Sequence, residues 1–216
     1  MLYPLPAVMV SCQKPGERPN IITVAWTGTV CSDPAMVYIS VRPSRCSHDI
    51  IRSTGEFVIN LTDEKLVRSM DWCGVISGRD MDKFETCGLS AVPSLTVAAP
   101  SIGESPVCIE CRVTQTIELG SHDMFLANVT AVTVDGSLID EKGKFHLDRA
   151  GLAAYSHGEY YALGQCLGKF GYSVKKTGNR SVRSHDSKGH GKDLAGKRNR
   201  KPASNIKKRK IERKHS

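Results

Sequence analysis

Five polar side chains follow an apolar run within a stretch of seven residues, and their types suit an anion. They are Arg42, Ser44, Arg45, Ser47 and His48. Each arginine presents a planar fork of N–H donors that matches a phosphate group, and each serine adds a hydroxyl. A short helix that begins at Ser44 or Ser47 would add free backbone N–H groups. Alternatively, one serine only caps this helix while the arginines point into solvent, but a cap and a phosphate site are compatible.

A second group of residues, just before the first, suits a flat ring. Trp26 is followed by Thr27, Gly28, Thr29 and Val30. Small residues let a ring lie against the backbone, whose amides can donate hydrogen bonds to it, and Trp26 can pack beside it. On composition alone, Trp26 is instead a core residue of a strand. Together the two groups indicate a flat cofactor with a phosphate tail.

The elements that must position these residues are mainly β-strands. Runs rich in Val, Ile and Thr predict strands over 7–12, 21–31, 36–41 and 56–61, and period-two alternation predicts a hairpin of 107–118 with 124–134. Helices are predicted from Ser44 or Ser47 to Arg52, over about 63–72 with Thr62 as its cap, and for one turn over 81–84. Neighbouring strands joined by short turns favour an antiparallel barrel over a doubly wound sheet.

The order and spacing of these residues resemble the flavin reductase-like family with an FMN-binding split barrel, and especially its flavoredoxin branch. The segments that carry the resemblance are 20–34, 40–48 and 73–84, and the likeness extends over roughly residues 1–176. The resemblance implies a mainly β fold, namely a split antiparallel Greek-key β-barrel with a few short helices. It also implies FMN as the cofactor and a homodimer as the assembly.

The resemblance assigns further site residues outside the two groups. They are Asn20, Ser77, Lys83, His122 and Tyr155. Lys83 would place a cation near N1 and O2 of the flavin, where the negative charge of the reduced cofactor lies. Without the resemblance, Lys83 is a surface lysine paired with Asp80 or Asp82. His122 would be an exposed residue of a hairpin turn, and His157 competes with Tyr155 for the aromatic position.

The activity that the resemblance implies is that of an oxidoreductase. NAD(P)H would donate hydride to the flavin, and the electrons would pass to a second acceptor, such as free flavin, iron, a redox protein or a small molecule. Hydride transfer requires no acid or base, so no catalytic side chain is assigned. One alternative is a flavoredoxin-type electron carrier that does not use NAD(P)H directly. Another is a nucleic-acid-binding protein that acts through a basic tail.

Charge is distributed unevenly along the 216 residues, although the formal net charge is +8. From Val174 onward the chain holds 16 Lys and Arg against 3 Asp and Glu, which leaves 14 against 19 in the first 173 residues. We therefore predict a folded domain over 1–173 and a disordered basic tail over 174–216. The tail could contact nucleic acid nonspecifically or simply remain solvated. Without a signal peptide or an apolar run of about 20 residues, a cytoplasmic protein with reduced cysteines is expected.

One cysteine spacing could indicate a metal or a redox dithiol. Cys108 and Cys111 form a CxxC motif. On an alternating strand, however, residues i and i+3 face opposite sides, so their sulfurs diverge. We therefore assign no metal site.

Overall fold

The computed structural model describes residues 2–174, and the chain divides into two compact units after Leu167. The first unit holds the sheets and helices discussed below, and the described part of the second contains one 3-10 turn, Tyr172–Val174. The predicted tail lies outside the described residues from 175 onward, and the domain limit at 173 stays a prediction. Within residues 2–174, no helix has the length and apolar character needed to span a bilayer.

Strands dominate the described residues. They are β1 Leu5–Pro6, β2 Val8–Cys12, β3 Asn20–Val24, β4 Thr27–Ser32, β5 Ala35–Val41, β6 Glu56–Leu61, β7 Ala91–Val92, β8 Ser101–Ile102, β9 Val107–Glu118, β10 Asp123–Val134, β11 Ala153–Ser156 and β12 Glu159–Ala162. The α-helices are α1 Cys46–Thr54, α2 Val67–Val75 and α3 Lys83–Cys87, and 3-10 turns occupy Glu64–Leu66, Gly136–Leu138 and Leu147–Arg149.

The main sheet has seven strands in the order β3-β2-β6-β9-β10-β5-β4, and every neighbouring pair is antiparallel. Within it, β6, β9 and β10 are consecutive neighbours. β5, which precedes β6 in the chain, lies beside β10 rather than beside β6, and this is a Greek-key arrangement. β1 joins β11 and β12 in a separate three-stranded sheet. The predicted mainly β, antiparallel split-barrel fold is confirmed.

The sheet is open where the sequence analysis placed one long strand. The predicted strand over 21–31 is wrong, because Ala25 and Trp26 form a bend between β3 and β4. These two strands lie at opposite edges of the curled sheet. The N–H group of Ser40 donates to the carbonyl oxygen of Trp26 at 2.8 Å, so the bend is fastened to β5. The split in the barrel therefore lies at the segment that was expected to meet a flat ring.

Both faces of the central strands are covered. One cluster fills the inside of the curled sheet and includes Val8, Val10, Ile39, Ile51, Phe57 and Phe125. A second cluster packs the other face of β2 and β3 against α2 and α3, and includes Met9, Ile21, Leu66, Met70 and Phe84. Each fully buried side chain of this kind contributes about 1.5–3 kcal/mol. Helices α2 and α3 are thus held against β3 by apolar burial, and they form one wall beside the split.

Two helix caps differ from the prediction. Helix α1 is preceded by Arg45, which makes no capping hydrogen bond, so neither Ser44 nor Ser47 is its N-cap. Asp63 rather than Thr62 caps the turn before α2, because its carboxylate accepts from the N–H of Leu66 at 3.0 Å. The buried hydroxyl of Thr62 has no hydrogen-bond partner. A carboxylate is the stronger acceptor for a helix N-terminus, and it lies one residue later in the chain.

The third helix begins close to its predicted position, and the CxxC cysteines face apart as predicted. Helix α3 begins at Lys83, later than the predicted turn over 81–84, and Asp82 caps it by accepting from the N–H of Glu85 at 3.1 Å. Cys108 and Cys111 belong to different buried clusters on opposite sides of β9. Their sulfurs contact the carbonyl oxygens of Ile102 and Ile109, respectively. The two thiols are therefore core side chains that face away from each other.

Candidate functional site

A groove runs beside the split in the barrel and consists of two adjoining cavities of about 330 and 490 Å³. The cavities share Ile22, Arg42 and Arg45, so the groove is continuous. We call one end the basic half; its polar lining comprises Asn20, Arg42, Ser44, Arg45, Ser47, Ser77, Arg79 and Lys83. We call the other end the aromatic half; its rings are Trp26, His122, Tyr155 and Tyr160.

The tertiary fold brings these residues together from distant parts of the chain. The end of β3 and the bend that follows form the floor, and the loop between β5 and α1 supplies Arg42, Ser44 and Arg45. The turn between β9 and β10 supplies His122, and the small sheet of β11 and β12 supplies Tyr155 and Tyr160. The groove is therefore lined by edge strand β3, by the bend that follows it and by segments from the other side of the split.

Asn20 and Ser47 fix the floor of the basic half. The side-chain amide of Asn20 donates to the hydroxyl oxygen of Ser47 at 2.8 Å, and both residues are buried. The loop after α2 passes directly over this pair, since a Cβ atom at Gly78 would stand 2.0 Å from Oδ1 of Asn20. Only glycine allows such an approach. Ser47, in the first turn of α1, is thus held by a side-chain partner rather than acting as a cap.

Arg79 joins the loop after α2 to the loop before α1. Its Nη1 donates to the carbonyl oxygen of Ser44 at 3.1 Å, and its Nη2 lies 3.6 Å from the carboxylate of Asp49. Arg18 holds the same loop from the other side by donating to the carbonyl oxygen of Gly78 at 2.9 Å. Arg79 lies within 73–84, one of the segments that carry the family resemblance, but the sequence analysis did not predict it as a site residue.

The basic half carries positive charge, of which Arg79 is paired with Asp49 outside the lining. Its lining, which lies wholly within the described residues, includes three arginines and one lysine and contains no carboxylate. This contrasts with the first 173 residues taken together, which carry more Asp and Glu than Lys and Arg. Arginine side chains and serine hydroxyls are the donors that proteins use for phosphate. The basic half is suited to an anion.

Lys83 is a buried cation beneath the basic half. Its side chain is 3% exposed, and Nζ donates to the carbonyl oxygens of Ile21 and Cys73, each at 2.7 Å. The alternative of a surface lysine paired with Asp80 or Asp82 is therefore wrong. Burial lowers the pKa of Lys83 below its usual value. Both hydrogen bonds tie the first residue of α3 to β3 and α2, the elements that wall the groove.

Trp26 and His122 form a stacked pair in the aromatic half. Their ring centroids lie 6.0 Å apart with an angle of 14° between the planes, and Trp26 is 46% exposed. Nδ1 of His122 lies 2.9 Å from the hydroxyl oxygen of Ser121. Partial burial, together with the nearby charge of Arg42, lowers the pKa of His122. An exposed ring stacked on a neutral imidazole provides a flat apolar surface for another ring.

Two residues that the sequence analysis missed complete this half. The hydroxyl of Tyr160 donates to the carboxylate of Asp71 at 2.8 Å, and the ring of Tyr160 lies 5.7 Å from that of Tyr155. Burial, followed by the hydrogen bond to Asp71, raises the pKa of Tyr160 to about 12. The only sequence signal was the aromatic composition of the segment that contains Tyr160. Asp71 carried no signal, because it lies on a predicted helix with its partner far along the chain.

Five predicted site residues do not line the groove. They are Thr27, Gly28, Thr29, Val30 and His48. The hydroxyl of Thr27 donates to the carbonyl oxygen of Tyr38 at 2.8 Å, and Gly28 packs against the ring of Tyr38. His48 is 3% exposed, and its Nε2 lies 2.8 Å from the carboxylate of Asp123. Thr27 and Gly28 thus contact β5, and His48 ties α1 to β10. The other ten predicted residues line the groove.

Comparisons with known proteins agree with the fold. The family model described as "Flavin reductase like domain" matches residues 1–164. Flavoredoxin of Desulfovibrio vulgaris (Miyazaki F) is 33% identical with a TM-score of 0.76, over 81% of this chain and 95% of that chain. An FMN-binding protein from Thermus thermophilus is 25% identical with a TM-score of 0.64, over 74% and 86% of the two chains. An uncharacterised protein of Pyrococcus abyssi is 32% identical over 160 residues, which are 74% of this chain and 91% of that protein.

Proposed function

This chain belongs to the flavin reductase-like domain family, and from that premise we propose that it binds FMN in the groove and acts as an NAD(P)H-dependent oxidoreductase. The observation that carries the proposal is the division of one continuous groove into a basic half and an aromatic half. FMN has the same division, with a phosphate at one end and a flat ring system at the other. The combined cavity falls in the size range of cofactor sites, about 300–1,000 Å³.

The basic half would hold the phosphate. Arg42 and Arg45 are exposed at the rim, so both guanidinium groups are available to a ligand. Ser47 is already fixed by Asn20, and Arg79 is fixed by the carbonyl oxygen of Ser44. Because Ser47 and Arg79 are held before a ligand arrives, these two side chains lose little conformational entropy on binding. The donor set fits a phosphate monoester.

Lys83 would contribute charge and rigidity. Its ammonium group is buried beneath the groove and is held by two carbonyl oxygens. A buried cation beside the cofactor stabilises negative charge on it, and this raises the reduction potential. The same hydrogen bonds link β3 to α2, so Lys83 would also help to set the width of the groove.

The aromatic half would face the electron donor. Bound FMN would supply the redox chemistry, taking hydride from NAD(P)H and passing the electrons to a second acceptor. Trp26, stacked on His122, offers an apolar surface that orients a flat ring and excludes water from one side of it. The pair of Tyr160 and Asp71 closes the opposite wall of this half. No side chain is assigned to proton transfer.

The test is the visible spectrum of the purified full-length protein, recorded before and after anaerobic addition of NADH or NADPH. Flavin absorption bands that elute with the protein, or that appear when FMN is added, would support cofactor binding. Rapid bleaching by either nicotinamide would support reductase activity. A protein that remains colourless and fails to bind added FMN would refute both statements.

A second candidate is an electron carrier that never uses a nicotinamide directly. It is favoured by the 33% identity to the flavoredoxin of Desulfovibrio vulgaris. Bound FMN that persists in excess NADH and NADPH but is bleached by a chemically reduced partner protein would support this candidate and exclude the reductase. We also expect a homodimer, which size-exclusion chromatography with light scattering would establish. The basic tail, for which nonspecific contact with nucleic acid was predicted, lies outside the described residues.

A further inference from the structure

Two thiols meet beside the groove in a way that the proposed function does not use. The sulfur of Cys73 on α2 lies 3.9 Å from the sulfur of Cys87, the last residue of α3. Both cysteines are free. Cys73 also lines the basic half of the groove, and its carbonyl oxygen accepts the hydrogen bond from Lys83. The contact therefore connects the two helices directly at the wall of the site.

We propose that Cys73 and Cys87 form a reversible disulfide that links α2 to α3 at the wall of the groove. A disulfide requires a sulfur separation of about 2.05 Å, so the sulfurs must approach by a further ~1.9 Å. Cys87 ends a helix of five residues and is followed by Gly88 in the left-handed region, φ 62°. Side-chain rotation and a small shift of this helix end can supply the approach.

The two thiols differ in exposure, and this difference sets the order in which they react. Cys73 is 1% exposed, whereas Cys87 is partly exposed, so a dissolved oxidant reaches Cys87 first. Burial, and then the neighbouring sulfur of Cys87, raise the pKa of Cys73 to about 12, so Cys73 remains a protonated thiol. Cys87 is thus the site of initial oxidation, and Cys73 is the resolving thiol.

The oxidant that we specify is hydrogen peroxide. The thiolate of Cys87 attacks one peroxide oxygen, the O–O bond breaks, and sulfenic acid forms with release of hydroxide. The thiol of Cys73 then passes its proton to the sulfenic oxygen as its sulfur attacks the sulfur of Cys87, the S–O bond breaks, and water leaves. Overall the two thiols lose two electrons and two protons, and one peroxide becomes two waters. A dithiol reductant reverses the reaction by thiol–disulfide exchange.

The disulfide would affect Lys83, whose hydrogen bonds hold α3 beneath the basic half. Lys83 and Cys87 are separated by one turn of α3, and each contacts residue Cys73, through its carbonyl oxygen and its sulfur respectively. A covalent bond at the second contact would hold α3 against α2 even when Lys83 moves. Because the disulfide involves only the two thiols, its formation can be tested whether or not the protein binds FMN.

The test counts thiols in the full-length protein, which has eight cysteines. Reduced, desalted protein is treated with a small excess of hydrogen peroxide, alkylated with N-ethylmaleimide in denaturant, and analysed by intact-mass and peptide mass spectrometry. We expect two thiols to escape alkylation. We also expect a linked pair of peptides containing Cys73 and Cys87, with a mass two hydrogen atoms below the sum of the two reduced peptides. Dithiothreitol should restore both alkylation sites.

Two variants separate this disulfide from general oxidation. Cys87→Ser should abolish the protection of Cys73, and Cys31→Ser, which alters a partly exposed cysteine on β4, should leave the linked pair intact. Alkylation of both thiols in oxidised wild type would overturn the proposal. So would sulfinic acid at Cys87 with Cys73 still alkylated, or equal protection of Cys73 in the Cys87→Ser variant. The wild-type measurement decides the matter even if a variant fails to fold.

Discussion

The two halves of the groove are built by different means. In the basic half, hydrogen bonds between protein groups already fix some of the donors, as in the pair of Asn20 and Ser47 and the contact of Arg79 with the carbonyl oxygen of Ser44. In the aromatic half, the rings are held mainly by packing against one another, and Trp26 remains largely exposed. From this comparison we expect charge and preorganisation to supply affinity for FMN, whereas the aromatic half would orient the ring and control access to it.

The largest effect on affinity is expected from removing charge in the basic half. Arg42→Ala with Arg45→Ala should weaken FMN binding about 100-fold, because each lost charge-assisted contact at an exposed rim is worth about tenfold. Fluorescence titration of the apoprotein with FMN measures the change. Arg149→Ala, which alters an exposed arginine outside the groove, is the matched control and should leave affinity unchanged. An equal loss of FMN affinity in the double variant and in Arg149→Ala would contradict the assignment of the phosphate to the basic half.

The second largest effect is expected on stability, from the removal of the buried Lys83. Lys83→Met should lower the free energy of unfolding by about 2 kcal/mol, because two buried carbonyl oxygens lose their donor. Urea denaturation measures this, and Lys65→Met at an exposed position is the control. FMN bound to the variant should also have a lower midpoint potential. An unchanged potential and affinity would remove Lys83 from the site while leaving its structural role intact.

The pH dependence of the same variant provides a further check. Burial lowers the pKa of Lys83 from the usual 10.5, so between the two values the unfolded chain binds more protons than the folded one. The unfolding free energy of wild type therefore gains a contribution as pH rises through this window, and below the folded pKa the contribution is absent. The stability gap between wild type and Lys83→Met should widen from neutral pH towards pH 10.5. A constant gap would show that Lys83 titrates normally.

A smaller effect is expected in the aromatic half. Trp26→Ala should weaken FMN binding only about threefold to tenfold, because a ring contact contributes about 0.5–1.5 kcal/mol. It should also uncover His122, whose pKa is lowered mainly by burial, so that pKa should rise towards its usual value. NMR titration of the histidine resonances measures the second effect. A loss as large as that of the double arginine variant would invert the comparison.

The smallest effect distinguishes the sequence prediction from the structure. Val30 lies on β4, outside the groove, and its side chain is exposed to about the same degree as that of Trp26. The variant to test is Val30→Ala. FMN affinity should stay within about twofold of wild type. A loss comparable to that of Trp26→Ala would mean that the backbone or side chains of β4 do meet the cofactor, as the sequence analysis predicted.

Local sequence patterns were enough to predict most of the strands and part of the site. Period-two alternation in the sequence identified the hairpin of β9 and β10. The burial of β10 alternates over its first half, whereas the first half of β9 is buried on both faces. The cluster from Arg42 to Ser47 was recognised because its donors follow one another in the chain. His48, in the same cluster, faces Asp123 instead, since the helical turn rotates it away from Ser44 and into the core.

Residue types and spacing by themselves determined the antiparallel class of the fold, the anion-binding character of one segment and the family resemblance. Only the tertiary structure decided that the run over 21–31 breaks at Trp26 and sends β3 and β4 to opposite edges of the sheet. It also decided that Lys83 is buried and that Tyr160 meets Asp71. These features depend on contacts between residues far apart in the chain, and such contacts leave no periodic signal in the local sequence.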